Sequence, residues 1–149
     1  MNLKIEFIHF KPRELSETRV LSLLSDIDDQ YIPPISSLTQ LLTYAQKLVL
    51  FADIIMAVRG GTDAGLCAIY TNRPPIAFIS SLGLIQSLQR AGYGGYLLQQ
   101  AIRVAKEQGC AKVVLEVHRQ NKRALLFYKN AGFYYCGTKD DFYCMLLNM

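Results

Sequence analysis

Charge is what this chain has least of. Only 19% of its 149 residues are Asp, Glu, Lys or Arg, against about 25% in average domains. Apolar residues make up 51%, enough to fill a core, so a wholly disordered chain is excluded, and the length fits one domain, residues 1–149. Histidine is scarce, with only His9 and His118, and none of the four cysteines (Cys67, Cys110, Cys136, Cys144) forms a C-x-x-C pair. No metal site is expected from that set; reduced, mostly buried thiols in a cytosolic protein are. No long hydrophobic run is present either: the most apolar stretch, Leu48 to Val58, is short and contains Asp53, so no membrane span is expected. The first residues, Met-Asn-Leu-Lys-Ile-Glu, carry no apolar signal region, and the expectation is a cytoplasmic protein. Positive charge is not concentrated: sixteen Lys and Arg against twelve Asp and Glu give +4. Their dispersal argues against a nucleic-acid footprint, while the mild excess suits a small anionic ligand.

What is present is alternating periodicity. Leu3, Ile5 and Phe7 read as a first strand, and Val20, Leu23, Leu24 and Ile27 as the face of a helix that ends before Asp28. Tyr-Ile-Pro-Pro at 31–34 interrupts the helical pattern, since proline lacks an N–H and restricts its predecessor. Ser36 or Ser37 is expected to cap a second helix with the face Leu38, Leu41, Leu42, Ala45, Leu48 and Val49. Ile54 to Val58 then reads as a strand, residues 59–65 as a turn, Leu66 to Tyr70 as the hairpin partner and Ile76 to Leu84 as a third strand. A glycine-rich stretch at 91–95 opens a helix that Gly109 closes. Lys112 to Val117 is a strand, Asn121 caps a helix through Ala131, and Phe133 to Gly137 and Phe142 to Leu147 are the last strands. The order β-αα-βββ-α-β-α-ββ describes one mixed α/β domain, with no repeat, low-complexity run or linker.

The segment Leu84 to Leu98 carries the most chemistry. A strand delivers the chain into glycines at 92, 94 and 95, where a helix begins. Glycines let backbone N–H groups approach a ligand closely and the helix N-terminus favours negative charge, so the turn is either an anion site suited to phosphate or a structural turn. Two other phosphate motifs fail. A dinucleotide fingerprint needs a small residue where Leu97 stands, and a Walker loop needs a lysine after the glycines. What fits is (Gln/Arg)-x-x-Gly-x-(Gly/Ala), here Gln89, Gly92 and Gly94. A second element follows in Leu115-Glu-Val-His-Arg-Gln-Asn121, Ala124, Tyr128 and Gly132-Phe133, with Phe127 in place of the commoner Leu. Together the two motifs, over roughly residues 76–137, resemble the GNAT N-acetyltransferase superfamily.

The resemblance implies a central mixed, mostly antiparallel sheet flanked by helices, and an acetyl-CoA-dependent enzyme acting by direct attack of an amine in a ternary complex. It implies that the strand before the turn bulges away from the next parallel strand, placing Leu82, Gly83 and Leu84 against the pantetheine arm. The backbone of Gln89, Arg90, Ala91, Gly92, Tyr93 and Gly94 would hold the pyrophosphate, with the Gln89 or Arg90 side chain assisting, and Asn121 would contact the pantetheine.

Tyr128 matches the family's general acid; its helix face, shared with Ala124 and Ala131, equally fits a core tyrosine. The third central strand lacks the carboxylate many relatives keep, which leaves Glu116 as base, twelve residues before Tyr128. Apolar neighbours Val114, Leu115 and Val117 are expected to bury it and improve it as a base. The alternatives are a structural carboxylate beside the cofactor, water-mediated deprotonation, or His118.

Tyr31, Ile32 and Pro33, with Pro34, are expected to wall the acceptor site, with Asp28 and Asp29 attracting a cationic amine; helix breaking and solvated acids explain the same residues. The cluster from Arg119 to Arg123 either meets the CoA 3′-phosphate or is a solvated helix start. A small-molecule amine is the leading acceptor, because no acidic tract or peptide-clamping feature stands out. A peptide N-terminus and a non-catalytic acyl-CoA-binding module remain as alternatives. The apolar strand Phe142 to Leu147 is expected either to lie centrally or to pair with a second subunit, a homodimer.

Overall fold

Seven strands form one sheet in the computed structural model, which describes residues 4–149. The strands are β1 Ile5–Phe10, β2 Asp53–Arg59, β3 Thr62–Tyr70, β4 Ile76–Leu84, β5 Lys112–His118, β6 Tyr134–Lys139 and β7 Phe142–Asn148, and the helices are α1 Glu17–Ile27, α2 Leu41–Phe51, α3 Tyr93–Glu107 and α4 Lys122–Asn130. Leu3, read as part of the first strand, lies outside the described residues. The sheet order is β1-β2-β3-β4-β5-β7-β6. Every adjacent pair is antiparallel except β4 with β5. That single parallel pair follows from α3, which carries the chain from the end of β4 back to the start of β5.

Two cores sit on the two faces of the sheet. Helices α1 and α2 bury Val20, Leu23, Leu24, Ile27, Ala45, Leu48 and Val49 against Ile54, Met56, Leu66 and Ala68. On the other face α3 and α4 cover Cys67, Ile69, Ala77, Ile79, Val113, Leu115 and Met145. The side chains of β3 thus alternate between the two cores, as the period of 2 requires.

The αα segment departs from the sequence reading. Ser16 caps α1, its hydroxyl accepting the Arg19 N–H at 3.2 Å. Ser36 and Ser37 do not cap α2; they lie in a short 3₁₀ turn, Ile35–Ser37, and α2 starts at Leu41 behind Gln40 with no side-chain cap. The backbone N–H and the hydroxyl of Ser36 both donate to the Asp28 carboxylate, a local bond that competes with helix initiation. Leu38 and Leu42 consequently stay 61% and 48% exposed instead of joining the buried face. The β2–β3 turn is also tighter than read. Gly60 and Gly61 both take positive φ (57° and 80°), as a two-residue hairpin turn requires, so β3 begins at Thr62. Strand β7 is paired on both sides, by β5 and β6, so it offers no free edge to a second subunit. Of the cysteines, Cys67 and Cys110 are buried, Cys144 is half-buried and Cys136 is exposed. Among the described residues no helix is long and apolar enough to cross a membrane.

A buried carboxylate pins the β1 edge. Asp53, 4% exposed, accepts from Thr71 Oγ1 at 2.7 Å and from His9 Nε2 at 2.8 Å. Replacing it leaves both donors unpaired. Asp53→Ala is expected to lower stability by about 2–4 kcal/mol in urea denaturation, and His9→Ala by about 1 kcal/mol, because His9 is more exposed.

Candidate active site

The parallel pair at the centre of the sheet is incomplete. Strands β4 and β5 pair only at Ile76, Ala77 and Phe78 with Lys112, Val113 and Val114, then separate. A bulge in β4 accounts for the divergence: Ile69 faces Ile79 but Ala68 faces Ser81, so Ser80 is an extra residue that bends the strand. The bend expected at Leu82–Leu84 therefore begins earlier, and Leu82, Gly83 and Leu84 form one wall of the opened gap.

Beyond β4 the chain makes a 3₁₀ turn, Gln86–Leu88, and Arg90 (φ 65°) and Gly92 (φ 86°) then take left-handed conformations. This reversal starts α3 at Tyr93, with its first N–H groups free of helical partners. A cavity of ≈ 390 Å³ opens there. Of the residues expected to bind the cofactor, Leu82, Gly83, Leu84, Gln89, Arg90, Gly92, Gly94 and Asn121 line it. Ala91 and Tyr93 do not; the Tyr93 ring instead packs beside Phe7, centroids 6.4 Å apart. Gly95 of the glycine turn, Arg123 and Phe127 line it too, and Gln30 lines it without having been singled out. The Gln89 side chain is held by protein partners on both sides. Its Nε2 donates to Gln30 Oε1 at 2.9 Å and to the Leu84 carbonyl at 3.1 Å, and its Oε1 accepts from Arg123 at 3.1 Å. It is a strut between the turn, the α1–α2 connection and α4. Asn121 caps α4 as expected, accepting the Ala124 N–H at 3.2 Å.

A second cavity of ≈ 170 Å³ lies on the α1–α2 side of the gap. Ile32 and Pro33 wall it on one side, Glu116, His118 and Phe142 on the other, and Ser80 and Ser81 sit on β4. The two cavities meet at Tyr31, Leu82, Asn121, Ala124 and Tyr128, which line both. Tyr128 has the packing of a core residue and also borders both cavities: its ring stands edge-on to Phe127 and Phe133, centroids 5.1 and 5.5 Å away. Burial, with smaller contributions from Cys67 and Tyr31, pushes its phenol well above the ordinary value of 10.0, so the proton stays on the oxygen.

Glu116 is not buried as its sequence neighbours implied. Alternation along β5 sends Val113, Leu115 and Val117 into the α3–α4 core and Glu116 to the opposite, open face, where it is exposed. His118 shares that face; its Nδ1 accepts from the Gln120 N–H at 3.1 Å and its ring stands edge-on to Phe142. Asp28 is engaged by Ser36 and does not line the cavity. The 119–123 cluster divides: Arg119 pairs with Asp141 at 3.3 Å, whereas Arg123 borders the larger cavity.

The sequence matches the model of the acetyltransferase (GNAT) family over residues 21–133. The chain belongs to this family. A curated relative, the N-alpha-acetyltransferase MAK3 of Arabidopsis thaliana, is 28% identical over 137 residues, covering 84% of this chain and 70% of the relative. Among solved structures, PaiA N-acetyltransferase from Thermoplasma acidophilum in complex with coenzyme A matches with a TM-score of 0.78, at 20% identity over 98% of this chain and 99% of that one. The ribosomal-protein-S18-alanine N-acetyltransferase of Escherichia coli matches with a TM-score of 0.77, at 17% identity over 97% and 94%. This GNAT acetyltransferase therefore has the fold of those proteins, with its splayed strands and glycine turn where the family motif lies.

Gly92 is the residue of that turn with the least freedom to change. A Cβ there meets nothing within 4 Å, so substitution costs backbone strain alone. Gly92→Ala is expected to lower stability by about 1 kcal/mol through its left-handed φ and to weaken acetyl-CoA binding about tenfold, both readable by calorimetry.

Proposed function

We propose that the protein transfers the acetyl group of acetyl-CoA to the primary amine of a small molecule, by direct attack in a ternary complex. The observation that carries this reading is the pair of cavities joined at Tyr128: the larger one runs to free helix N–H groups suited to a pyrophosphate. The smaller one, ≈ 170 Å³, is bounded by Ile32 and Pro33 on one side and Phe142 on the other, which suits a compact acceptor. Backbone N–H groups of Gln89 to Gly94 hold the donor's phosphates, with Arg123 adding charge at the rim. Gly83 and Leu84 face the pantetheine.

The bond change carries two proton demands. The amine nitrogen forms a bond to the thioester carbon while the C–S bond breaks. Tyr128, kept protonated by burial, gives its proton to the leaving thiolate. Glu116, at the open end of the acceptor cavity, takes the proton the amine must lose, directly or through water. A peptide or protein N-terminus is the second reading, favoured by the matches to the MAK3 and ribosomal-protein enzymes.

A panel of small amines and short peptides, assayed by release of free CoA, tests the assignment. Turnover of small amines is expected; turnover of peptides alone overturns the acceptor class, and no turnover despite tight acetyl-CoA binding overturns the enzyme reading. Tyr128→Phe is expected to lower kcat at least tenfold with acetyl-CoA affinity within about twofold of wild type. Because the Tyr128 pKa is raised, the acid form persists as pH rises, and the wild-type rate is expected to show no falling limb below about pH 10. Glu116→Gln is expected to flatten the limb that rises with pH; an unchanged limb removes it as base.

A further inference from the structure

Two hydroxyls at the junction of the cavities have no partner. Tyr31 Oη and Ser81 Oγ are buried and make no hydrogen bond, although hydroxyls beside them do: Tyr44 and Ser80 bond each other at 2.6 Å. Buried polar groups are normally satisfied, so an orphaned pair in one place points to a ligand group that completes it. Both line the acceptor cavity, and Tyr31 lines the donor cavity as well. Their positions are built, not incidental. The β4 bulge turns Ser80 and Ser81 toward the α1–α2 side, where Ser80 is taken by Tyr44 and Ser81 is left free. Gly83 lets Tyr31 reach β4: a Cβ at that position would collide with the phenol oxygen. The Tyr31 hydroxyl therefore rests against the strand backbone that faces the thioester in the proposed reaction.

An amine that attacks a carbonyl carbon keeps its lone pair for that carbon and has two N–H bonds left to place. Two neutral oxygens at the cavity junction, each with a free lone pair, meet that need. We infer that Tyr31 Oη and Ser81 Oγ accept the two N–H bonds of the acceptor amine and aim its lone pair at the thioester. This rests on the reading of the smaller cavity as the acceptor site. Both residues then touch substrate and are catalytic by positioning it. Burial raises the Tyr31 pKa above its ordinary value, so the phenol is neutral in the resting protein.

The test uses Tyr31→Phe and Ser81→Ala in the full chain. Because each variant removes a polar atom that has no partner in the free protein, the melting temperature is expected to equal or exceed that of wild type. Binding of n-butylamine, 2-aminoethanol and an alanyl peptide to the CoA-loaded protein, followed by calorimetry, is expected to weaken at least tenfold in each variant, with acetyl-CoA affinity within twofold. Aminolysis is expected to fall by at least the same factor. A clear drop in melting temperature overturns the assignment by showing that the hydroxyls are structural. Wild-type amine binding in both variants, or no amine binding by wild type, overturns it too. Weakened amine binding in a protein that acetylates only peptides keeps this assignment and sinks the small-molecule reading. Unchanged binding in variants that still acetylate small amines does the reverse.

Discussion

The separation of β4 from β5 is the constraint on which the site depends. A parallel pair that stayed in register over both strands would leave no space between them for the larger cavity. One extra residue, Ser80, prevents that. Its effects reach both faces: the strand bends away from β5, opening the larger cavity, and two serines face the α1–α2 connection, lining the smaller one. The two cavities therefore share Leu82 and Tyr128 as common wall.

Much of this frame was legible in the residues. The sequence pattern marks β4 with its observed bounds, α1 with its four buried positions, the glycine-rich stretch 91–95 as the start of α3 and Gly109 as its end. Those features are local: a period, a cap or a positive φ is set by neighbours in sequence. Both motif segments belong to the same class, which is why the family could be recognised from them.

What escaped was set by contacts distant in sequence. The serines at 36 and 37 have the chemistry of a helix cap, and the bond from Ser36 to Asp28 diverts them. Glu116 sits in an apolar run, but its neighbours turn to the other face of the sheet, and a run of residues does not show which face a helix will cover. For β7 the apolar composition was clear and its place between β5 and β6 was not, since strand order is a property of the closed sheet. Tyr31 was singled out from its place beside the prolines, but its approach to Ser81 left no sequence signal. That approach arises from a bulge and a glycine on β4 and from the turn that follows α1.

Gln89 shows that a recognised motif position also does structural work. The motif puts a glutamine or arginine before the glycines, and an anion contact is the natural reading of a polar side chain there. Here the carboxamide is already committed on both its donor and acceptor sides, to Gln30, the Leu84 carbonyl and Arg123. Its value lies in holding three pieces of chain at fixed separation: the end of β4, the connection that carries Tyr31, and the helix that carries Tyr128. The backbone N–H groups at the start of α3 stay free of helical partners and need no side-chain entropy to be ordered, because the helix already fixes them. With the Gln89 side chain acting as a strut, the turn keeps those N–H groups and the Tyr31 segment at a fixed separation across the two cavities.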